Sequence, residues 1–213
     1  MANVEIARLI GHAFGDGSIH NKKHYFIYTN SEIALQKNVN DIVNKEFGTV
    51  PMNKGTSISG TPRYQYSNRV GRYLVSYGAP IGSKVLNLTK IPKWILNGRQ
   101  DVKAAFIGAL FDDEGYFRDS SNSRQITFKA AKDIRLRQNL ERYLKNIMKV
   151  LNSFGIKTSS IRSDQIKSRA DGIKMISLRF WITGFENFVL FEENIPILHP
   201  QRRQRLLKMV RAG

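Results

Sequence analysis

Hydrophobic and polar positions along this chain of 213 residues follow two periods in turn. Residues 9–17, LIGHAFGDG, begin as an apolar run and end on a lone carboxylate, which predicts a helix that closes at Asp16. Residues 23–30, KHYFIYTN, alternate aromatic and polar side chains, as a half-buried strand does. Residues 31–48 have helical spacing, and residues 61–70 alternate strictly after a turn at SISGTP, so a hairpin is expected there.

The second half of the chain repeats this order. Residues 106–117, FIGALFDDEGYF, again carry an apolar run into an acidic end. Strands are predicted at 124–130 and 172–184, a long helix at 133–155 and a basic closing helix at 199–210. Aligning the two motifs gives an offset of 98 residues, with Asp16 on Glu114 and Gly17 on Gly115. A repeat close to half the chain length indicates two similar halves.

We therefore predict an α+β fold of two pseudo-symmetric halves, each with the order αββαββα. The first half is expected over residues 1–97 and the second over 104–213. Residues 98–103 are expected to link them, because this stretch has turn signals and one apolar residue. Small residues at Gly11, Gly15, Gly108 and Ala109 would let the two motif helices pack with their backbones close together.

Charge points to a polyanionic partner. The net charge is +17, divided as +8 over residues 1–100 and +9 over 101–213, so the excess is not one basic tail. Nucleic acid is the leading candidate and an anionic membrane surface the second, with a merely basic soluble protein as the third interpretation. The sequence contains no cysteine, no apolar run of membrane-spanning length and no secretion signal, which favours an intracellular, cytoplasmic protein near the nucleoid.

Several predicted strands have one apolar face and one face of Arg, Lys, Gln, Ser and Thr. For any single strand, the polar face could simply be exposed to solvent. Across several strands, however, Asp and Glu are scarce on these polar faces, which favours a groove that binds phosphates and base edges. The candidate DNA contacts are Thr29, Arg63, Gln65, Arg69, Arg118, Gln125, Thr127, Lys129, Ser177 and Arg179.

The two nonapeptides at 9–17 and 107–115 resemble the motifs of the LAGLIDADG homing endonucleases, in their single-chain form of the archaeal intron-encoded type. The stretches IPKWILNG and HPQRRQRL are also similar to that family. The resemblance covers almost the whole chain. It implies a two-helix interface between the halves, with antiparallel sheets that form a saddle over DNA.

The resemblance further implies that Asp16 and Glu114 bind metal, helped by the backbone carbonyls of Gly15 and Asp113. Elementary electrostatics agrees, because two carboxylates at the negative ends of helices repel each other and a polyanion unless a cation lies between them. Oxygen donors suit Mg²⁺. Mn²⁺ is an expected substitute, and Ca²⁺ is expected to support DNA binding without cleavage.

Basic residues are expected around these acids. Lys84 resembles the family lysine before the second motif, and Arg202 takes the equivalent place in the second half. Lys129 is a further catalytic candidate, and Thr29 stands at the matching strand end. Two neighbours of Glu114 differ from this pattern. Asp112 is interpreted as structural, and Asp113 is expected to add negative charge beside Glu114 that Arg118 offsets.

The expected activity is site-specific cleavage of double-stranded DNA. One phosphodiester on each strand would be hydrolysed across the minor groove of a long target, leaving 3′ overhangs, by a monomer that carries both sites. The alternative is a non-cleaving protein of the same fold, either an RNA maturase or a DNA-binding regulator.

Overall fold

The computed structural model describes residues 3–120 and 123–212. The first half contains helices α1 (Val4–Phe14), α2 (Ile33–Phe47), α3 (Asn68–Ser76) and α4 (Lys93–Leu96), with strands β1 (Gly17–Ile19), β2 (Phe26–Thr29), β3 (Met52–Thr56) and β4 (Pro62–Tyr66). The second half contains helices α5 (Gln100–Glu114), α6 (Arg137–Asn152), α7 (Phe185–Asn194) and α8 (Pro200–Arg211), with strands β5 (Gly115–Ser120), β6 (Ser123–Asp133), β7 (Arg162–Ser163), β8 (Lys167–Ser168) and β9 (Lys174–Ile182).

Each half has one antiparallel sheet. The strand order is β1-β2-β4-β3 in the first half and β5-β6-β9-β7 in the second, where β8 also pairs with β9. Each sheet begins at the same point of its motif, because Gly17 lies opposite Tyr28 and Gly115 lies opposite Phe128. The α+β fold of two similar halves is therefore confirmed, and the register shows which residues of the halves correspond.

Helices α1 and α5 form the joint between the halves, which we call the seam. Most of both helices is buried. Gly11 explains how closely they approach, because a Cβ at this position would lie 2.6 Å from the Phe106 carbonyl oxygen and 2.7 Å from Ala109 Cβ. Gly15 has the same role one turn later, where a Cβ would overlap the side chain of Asp113. Small residues on this face thus allow the backbones to pack in direct contact.

The apolar faces of both sheets pack against helices to form the core. Ile176, Leu178, Phe180 and Ile182 of β9 are buried, as their alternation predicts. The apolar stripe of α6 at Leu140, Leu144, Ile147 and Leu151 is fully buried on the same side. In the part of the chain that the structure describes, no helix has the length and apolar character that crossing a bilayer requires.

Three local expectations are wrong. Helix α5 begins at Gln100, so four of the six residues expected as a linker are its first turn, where Val102 is buried and Asp101 accepts a hydrogen bond from the Val102 N–H at 2.8 Å. Strand β4 ends at Tyr66, so Arg69 lies on α3 and not in the sheet. Helix α3 takes the place of the third helix in the predicted order of the first half, although no residues had been assigned to that helix, whereas helix α7 lies outside the predicted order of the second half.

Candidate active site

The seam helices deliver two carboxylates to one place. Helix α1 ends at Phe14, two residues before Asp16, and α5 ends at Glu114 itself. The acids interact, because Glu114 is among the groups that raise the pKa of Asp16. Desolvation by burial is the largest cause of the raised pKa of each acid, and the pKa of Asp16 rises to about 8. Asp113 is the second cause for Asp16, so negative charge is crowded here.

Lys84 is hydrogen-bonded to backbone carbonyls at the C-terminal end of α1. Its ammonium donates hydrogen bonds to the carbonyl oxygens of Ala13 at 3.3 Å and Gly17 at 2.8 Å, and also to that of Gly15. Burial lowers the pKa of Lys84, and the nearby acids, led by Glu114, oppose that shift. The side chain therefore serves as a local counter-charge to the acids at the negative end of a helix.

Arg202 makes the corresponding backbone contacts at the C-terminal end of α5. Its guanidinium donates to the carbonyl oxygens of Phe111 at 3.0 Å and Asp113 at 3.1 Å. With the 98-residue offset, Phe111 and Asp113 correspond to Ala13 and Gly15, which are two of the carbonyls that Lys84 contacts. The structure thus places Lys84 and Arg202 at equivalent points of the two halves, beside the two carbonyls expected to face a metal.

Asp112 has a purely structural environment. Its carboxylate is fully buried, forms an ion pair with Arg8, and accepts hydrogen bonds from the backbone N–H groups of Leu198 and His199, both at 2.8 Å. These contacts tie α5 to α1 and to the segment that precedes α8. Asp112 therefore joins three parts of the scaffold.

Asp113 is among the groups that raise the pKa of Glu114, so it adds negative charge there as expected, but its side chain does not stay in the second half. It crosses the seam into the first half, where its carboxylate accepts hydrogen bonds from the Tyr28 hydroxyl at 2.7 Å and from the Asp16 backbone N–H at 3.0 Å. His12 Nδ1 lies 3.1 and 3.2 Å from the two carboxylate oxygens, and because a carboxylate only accepts, this nitrogen carries the proton. Its hydrogen-bonding partners are thus in the first half, and Arg118, exposed on β5, is not among them.

Asn30 is the contact that the sequence prediction missed. Its amide donates to the Asp16 carboxylate at 2.7 Å and to the Tyr28 hydroxyl at 3.2 Å. Thr29, the residue predicted at this strand end, is half-buried and pairs with Arg63 in the sheet. The strand end was identified correctly, but the side chain that reaches the acid lies one residue later, because alternate residues point to opposite faces.

The candidate DNA contacts of the second half share one sheet face. Lys129 pairs with Arg179, Ala131 with Ser177 and Arg118 with Gln125, and residues opposite each other in antiparallel strands project to the same side. Lys129 and Arg179 both form ion pairs with Asp164, at 2.5 and 3.2 Å, so this face carries an acid that was not expected. Thr127 is on the same face but buried, which leaves its side chain inaccessible to a duplex.

The first half provides a smaller polar face. Arg63 and Gln65 are half-buried on β4, opposite Thr29 and Ile27. Arg69 is exposed on α3, outside this sheet. A cleft of about 520 Å³ lies at the boundary between the second sheet and the acids, and is lined by Lys84, Glu114, Lys129 and Tyr143 among others. Glu114 and Lys84 are thus brought together, whereas the ammonium of Lys129, predicted as catalytic, is paired with Asp164.

A family model matches most of the second half of the chain. Residues 101–196 match the model of the LAGLIDADG-like domain. The chain is 27% identical over 205 residues to the tRNA-splicing ligase RtcB of Pyrococcus abyssi, which covers 89% of this chain and 22% of that protein. The chain spans under a quarter of the length of the curated relatives that it matches.

Solved structures match over nearly the whole chain. The homing endonuclease I-DmoI, in complex with DNA and calcium, superposes with a TM-score of 0.62 at 15% identity, over 95% of this chain and 98% of I-DmoI. Full-length WhiA from Thermotoga maritima superposes with a TM-score of 0.61 at 12% identity, over 98% of this chain and 61% of WhiA. Residues 101–196 therefore match the LAGLIDADG-like domain, and the chain as a whole has the pseudo-symmetric fold of two similar halves that I-DmoI has.

Proposed function

We propose that this protein is a site-specific DNA endonuclease that uses divalent metal to hydrolyse one phosphodiester on each strand of a duplex. The observation that carries the proposal is the pair of acids, Asp16 and Glu114, at matched ends of the seam helices. Each acid follows a carbonyl oxygen that a cationic side chain contacts. An arrangement built twice suits a substrate with two strands.

The residues present fit a hard divalent cation. Asp16, Glu114 and the carbonyls of Gly15 and Asp113 offer only oxygen donors, which suit Mg²⁺. Burial first, and then the charges of Asp113 and Glu114, raise the pKa of Asp16 to about 8, and a divalent ion at this place would favour the ionised carboxylate. Among the described residues, no three His, Cys, Asp or Glu side chains form a self-contained metal cluster, so phosphate and water oxygens would complete the coordination.

The bound ion would activate water and offset the charge that develops on the attacked phosphate. The protein's own residues do the rest. Asp16 and Glu114 would hold the ion, whose positive charge offsets the repulsion between these carboxylates and the DNA backbone. Lys84 and Arg202 balance the acids and keep the two carbonyls oriented, and their positive charges lie where a scissile phosphate would approach.

Mg²⁺ is the proposed cofactor. Mn²⁺ would replace it, and Ca²⁺ would support binding without cleavage. I-DmoI has been crystallised with DNA and calcium and with DNA and manganese. The proposed substrate is a long, specific duplex held by the polar sheet faces, and cleavage across its minor groove would leave 3′ overhangs. One chain carries both acids, so a monomer is sufficient.

A DNA-binding regulator that does not cleave is the second candidate. It is favoured by the match to WhiA, whose TM-score of 0.61 nearly equals that of I-DmoI. The two candidates differ in what the acids do, since a regulator has no need for a metal at Asp16 and Glu114.

Cleavage selection from a randomised duplex library tests the proposal. The protein is incubated with the library in Mg²⁺, in Ca²⁺ and in EDTA, and both cut and bound molecules are sequenced. An endonuclease yields cut ends with 3′ overhangs around one long consensus in Mg²⁺ alone, and Asp16→Asn and Glu114→Gln yield bound but uncut molecules. Enrichment of one bound sequence without cut ends in any metal would identify a regulator.

A further inference from the structure

Four hydrogen bonds form a closed ring that begins and ends on Asp16. The Asp16 backbone N–H donates to Asp113 at 3.0 Å, and the Tyr28 hydroxyl donates to the same carboxylate at 2.7 Å. The Asn30 amide donates to the Tyr28 oxygen at 3.2 Å and to the Asp16 carboxylate at 2.7 Å. Both the backbone and the side chain of Asp16 are therefore held by one connected network.

The donors of this ring are fixed in their roles. Burial is the main reason that the pKa of Tyr28 is raised, and Asp113 raises it further, so the phenol keeps the proton that it donates. The side-chain oxygen Oδ1 of Asn30 accepts a hydrogen bond from the Glu32 backbone N–H at 2.7 Å, which orients the side-chain NH₂ group toward Asp16. Asp113, Tyr28 and Asn30 are all buried, so water does not compete for these bonds.

Within residues 3–120 and 123–212, no such ring surrounds Glu114. The strand registers identify the corresponding positions, because Gly17 faces Tyr28 as Gly115 faces Phe128. Phe128 therefore corresponds to Tyr28, and Ala130 corresponds to Asn30. Gly15 corresponds to Asp113 by the motif offset. None of the three corresponding residues has a polar side chain.

An open cleft lies beside Glu114, at the place that corresponds to the ring. The cleft of about 520 Å³ at Glu114 is lined by Phe128 and Ala130, the counterparts of two ring residues. Among the hydrogen bonds of the described residues, none is made by the Glu114 carboxylate. The duplication keeps the backbone similar in both copies, so the difference between the two acids lies in their supporting side chains.

We propose that Asp113, Tyr28 and Asn30 are positioning residues that pre-organise Asp16 for metal, so that the two halves of the site are unequal. A metal ligand held by outer hydrogen bonds binds without further loss of side-chain freedom. Glu114 has no such support and adopts its final position only when metal and DNA arrive. This inference rests on the proposed endonuclease function.

Two substitutions install the residues of the second half in the first. Tyr28→Phe removes the central hydroxyl, and Asn30→Ala removes the bond to the Asp16 carboxylate. Tyr66→Phe is the matched control, because Tyr66 is an equally buried phenol of the same sheet, and its hydroxyl has no partner among the described residues. Thermal melting identifies any variant that fails to fold, and each ring substitution serves as a check on the other.

Strand-resolved cleavage is the first readout. A duplex with the selected target carries a different fluorophore on each strand, and the rate of each cut is measured in Mg²⁺. Y28F and N30A are expected to slow one strand about 10-fold or more, the usual effect of removing an outer-shell partner, and to leave the other strand within about 2-fold. Equal slowing of both strands, or no slowing in either variant, would overturn the inference. Y66F is expected to match the wild-type protein on both strands.

Metal binding without DNA is the second readout. Calorimetric titration with Mn²⁺ is expected to show about 10-fold weaker binding in Y28F and N30A, with Y66F unchanged. Unchanged Mn²⁺ affinity in both ring variants would overturn the inference even if cleavage slowed. A wild-type protein that binds no Mn²⁺ and cuts no DNA would overturn the proposed function itself, whereas normal wild-type cleavage with no strand bias in the variants would overturn the ring alone.

Discussion

Three consecutive acids at the end of α5 have three different surroundings. Asp112 contacts only scaffold, Asp113 contacts the opposite half, and Glu114 faces the cleft. Their side chains diverge because successive residues of a helix point about 100° apart around its axis. One short acidic run therefore provides an ion pair across the seam, a support for Asp16 and a metal ligand of the proposed site.

Substitution of Asp112 and Glu114 separates stability from activity. Asp112→Asn leaves Arg8 as a buried charge without its partner, so we expect a loss of about 3–5 kcal/mol in the free energy of unfolding. Glu114→Gln breaks no hydrogen bond found among the described residues, so stability should change by less than about 0.5 kcal/mol while cleavage is lost. Urea denaturation measures the first quantity, and cleavage of the selected target measures the second. A stable D112N protein would contradict the buried pair.

Gly15 is restricted by its neighbour rather than by its backbone. A Cβ at this position would overlap the Asp113 side chain, which is itself held by the ring. We expect Gly15→Ala to cost about 1–3 kcal/mol of stability, the usual effect of overpacking. The double variant Gly15→Ala, Asp113→Gly should recover part of that loss, because the overlapping group is gone. Additive losses in urea denaturation would show that the overlap is not the cause.

At the level of elements, the spacing of apolar residues predicted the helices and strands that have a regular pattern of their own. Helices α1 and α6 and strands β6 and β9 have a clear apolar face and were predicted. Helix α5 is buried on nearly every side, and the sequence predicted its acidic end but not its first turn. Helix α7 was missed because its sequence, FENFVLFEEN, has apolar and acidic residues without a dominant spacing. The packing of the two motif helices was predicted, but the side-chain contacts across the seam were missed. The direction of Asp113 depends on Tyr28 and His12, which lie far from it in sequence and become neighbours only when α1 and α5 pack together.

The segment before α4 depends on a buried lysine. Lys132 is 2% exposed, and its ammonium donates to the carbonyl oxygens of Lys84 and Asn87. This contact anchors the segment that carries Lys84 against β6. Desolvation is the main cause that lowers the pKa of Lys132 to about 8. The anchor therefore exists at the cost of holding a charge in a poorly solvated place.

Stability should consequently rise with pH above about 8. Between about 8 and the ordinary lysine pKa near 10.5, the unfolded chain holds a proton that folded Lys132 has released, so the free energy of unfolding increases across this range. Lys132→Met removes that increase and, by freeing two carbonyls, lowers stability at every pH. Urea denaturation of both proteins from pH 7.5 to 10.5 isolates the effect, since all other groups titrate in common. Parallel pH profiles would contradict the assignment.

At the scale of the whole molecule, the net charge of +17 favours a polyanionic partner, and the path of the proposed duplex depends on where that charge lies. The charge is not concentrated on one element. Arg63 projects from the first sheet, whereas Lys149 is exposed on α6, which packs against the core face of the second sheet and so lies behind it. A duplex that follows the polar sheet faces would contact the first of these two residues and not the second.

Salt dependence distinguishes the two surfaces. In Ca²⁺, where binding is expected without cleavage, affinity for the selected duplex should fall by about 10³-fold or more between about 50 and 200 mM salt, as it does for proteins that neutralise at least six phosphates. Arg63→Ser should reduce the slope of log affinity against log salt by about one, because one phosphate contact is lost. Lys149→Ser makes the same change in charge on the opposite side and should leave the slope unaltered. Fluorescence anisotropy measures all three slopes. Equal reductions in both variants would mean that net charge, and not the polar sheet faces, holds the DNA, and the duplex would then have no fixed path across the seam.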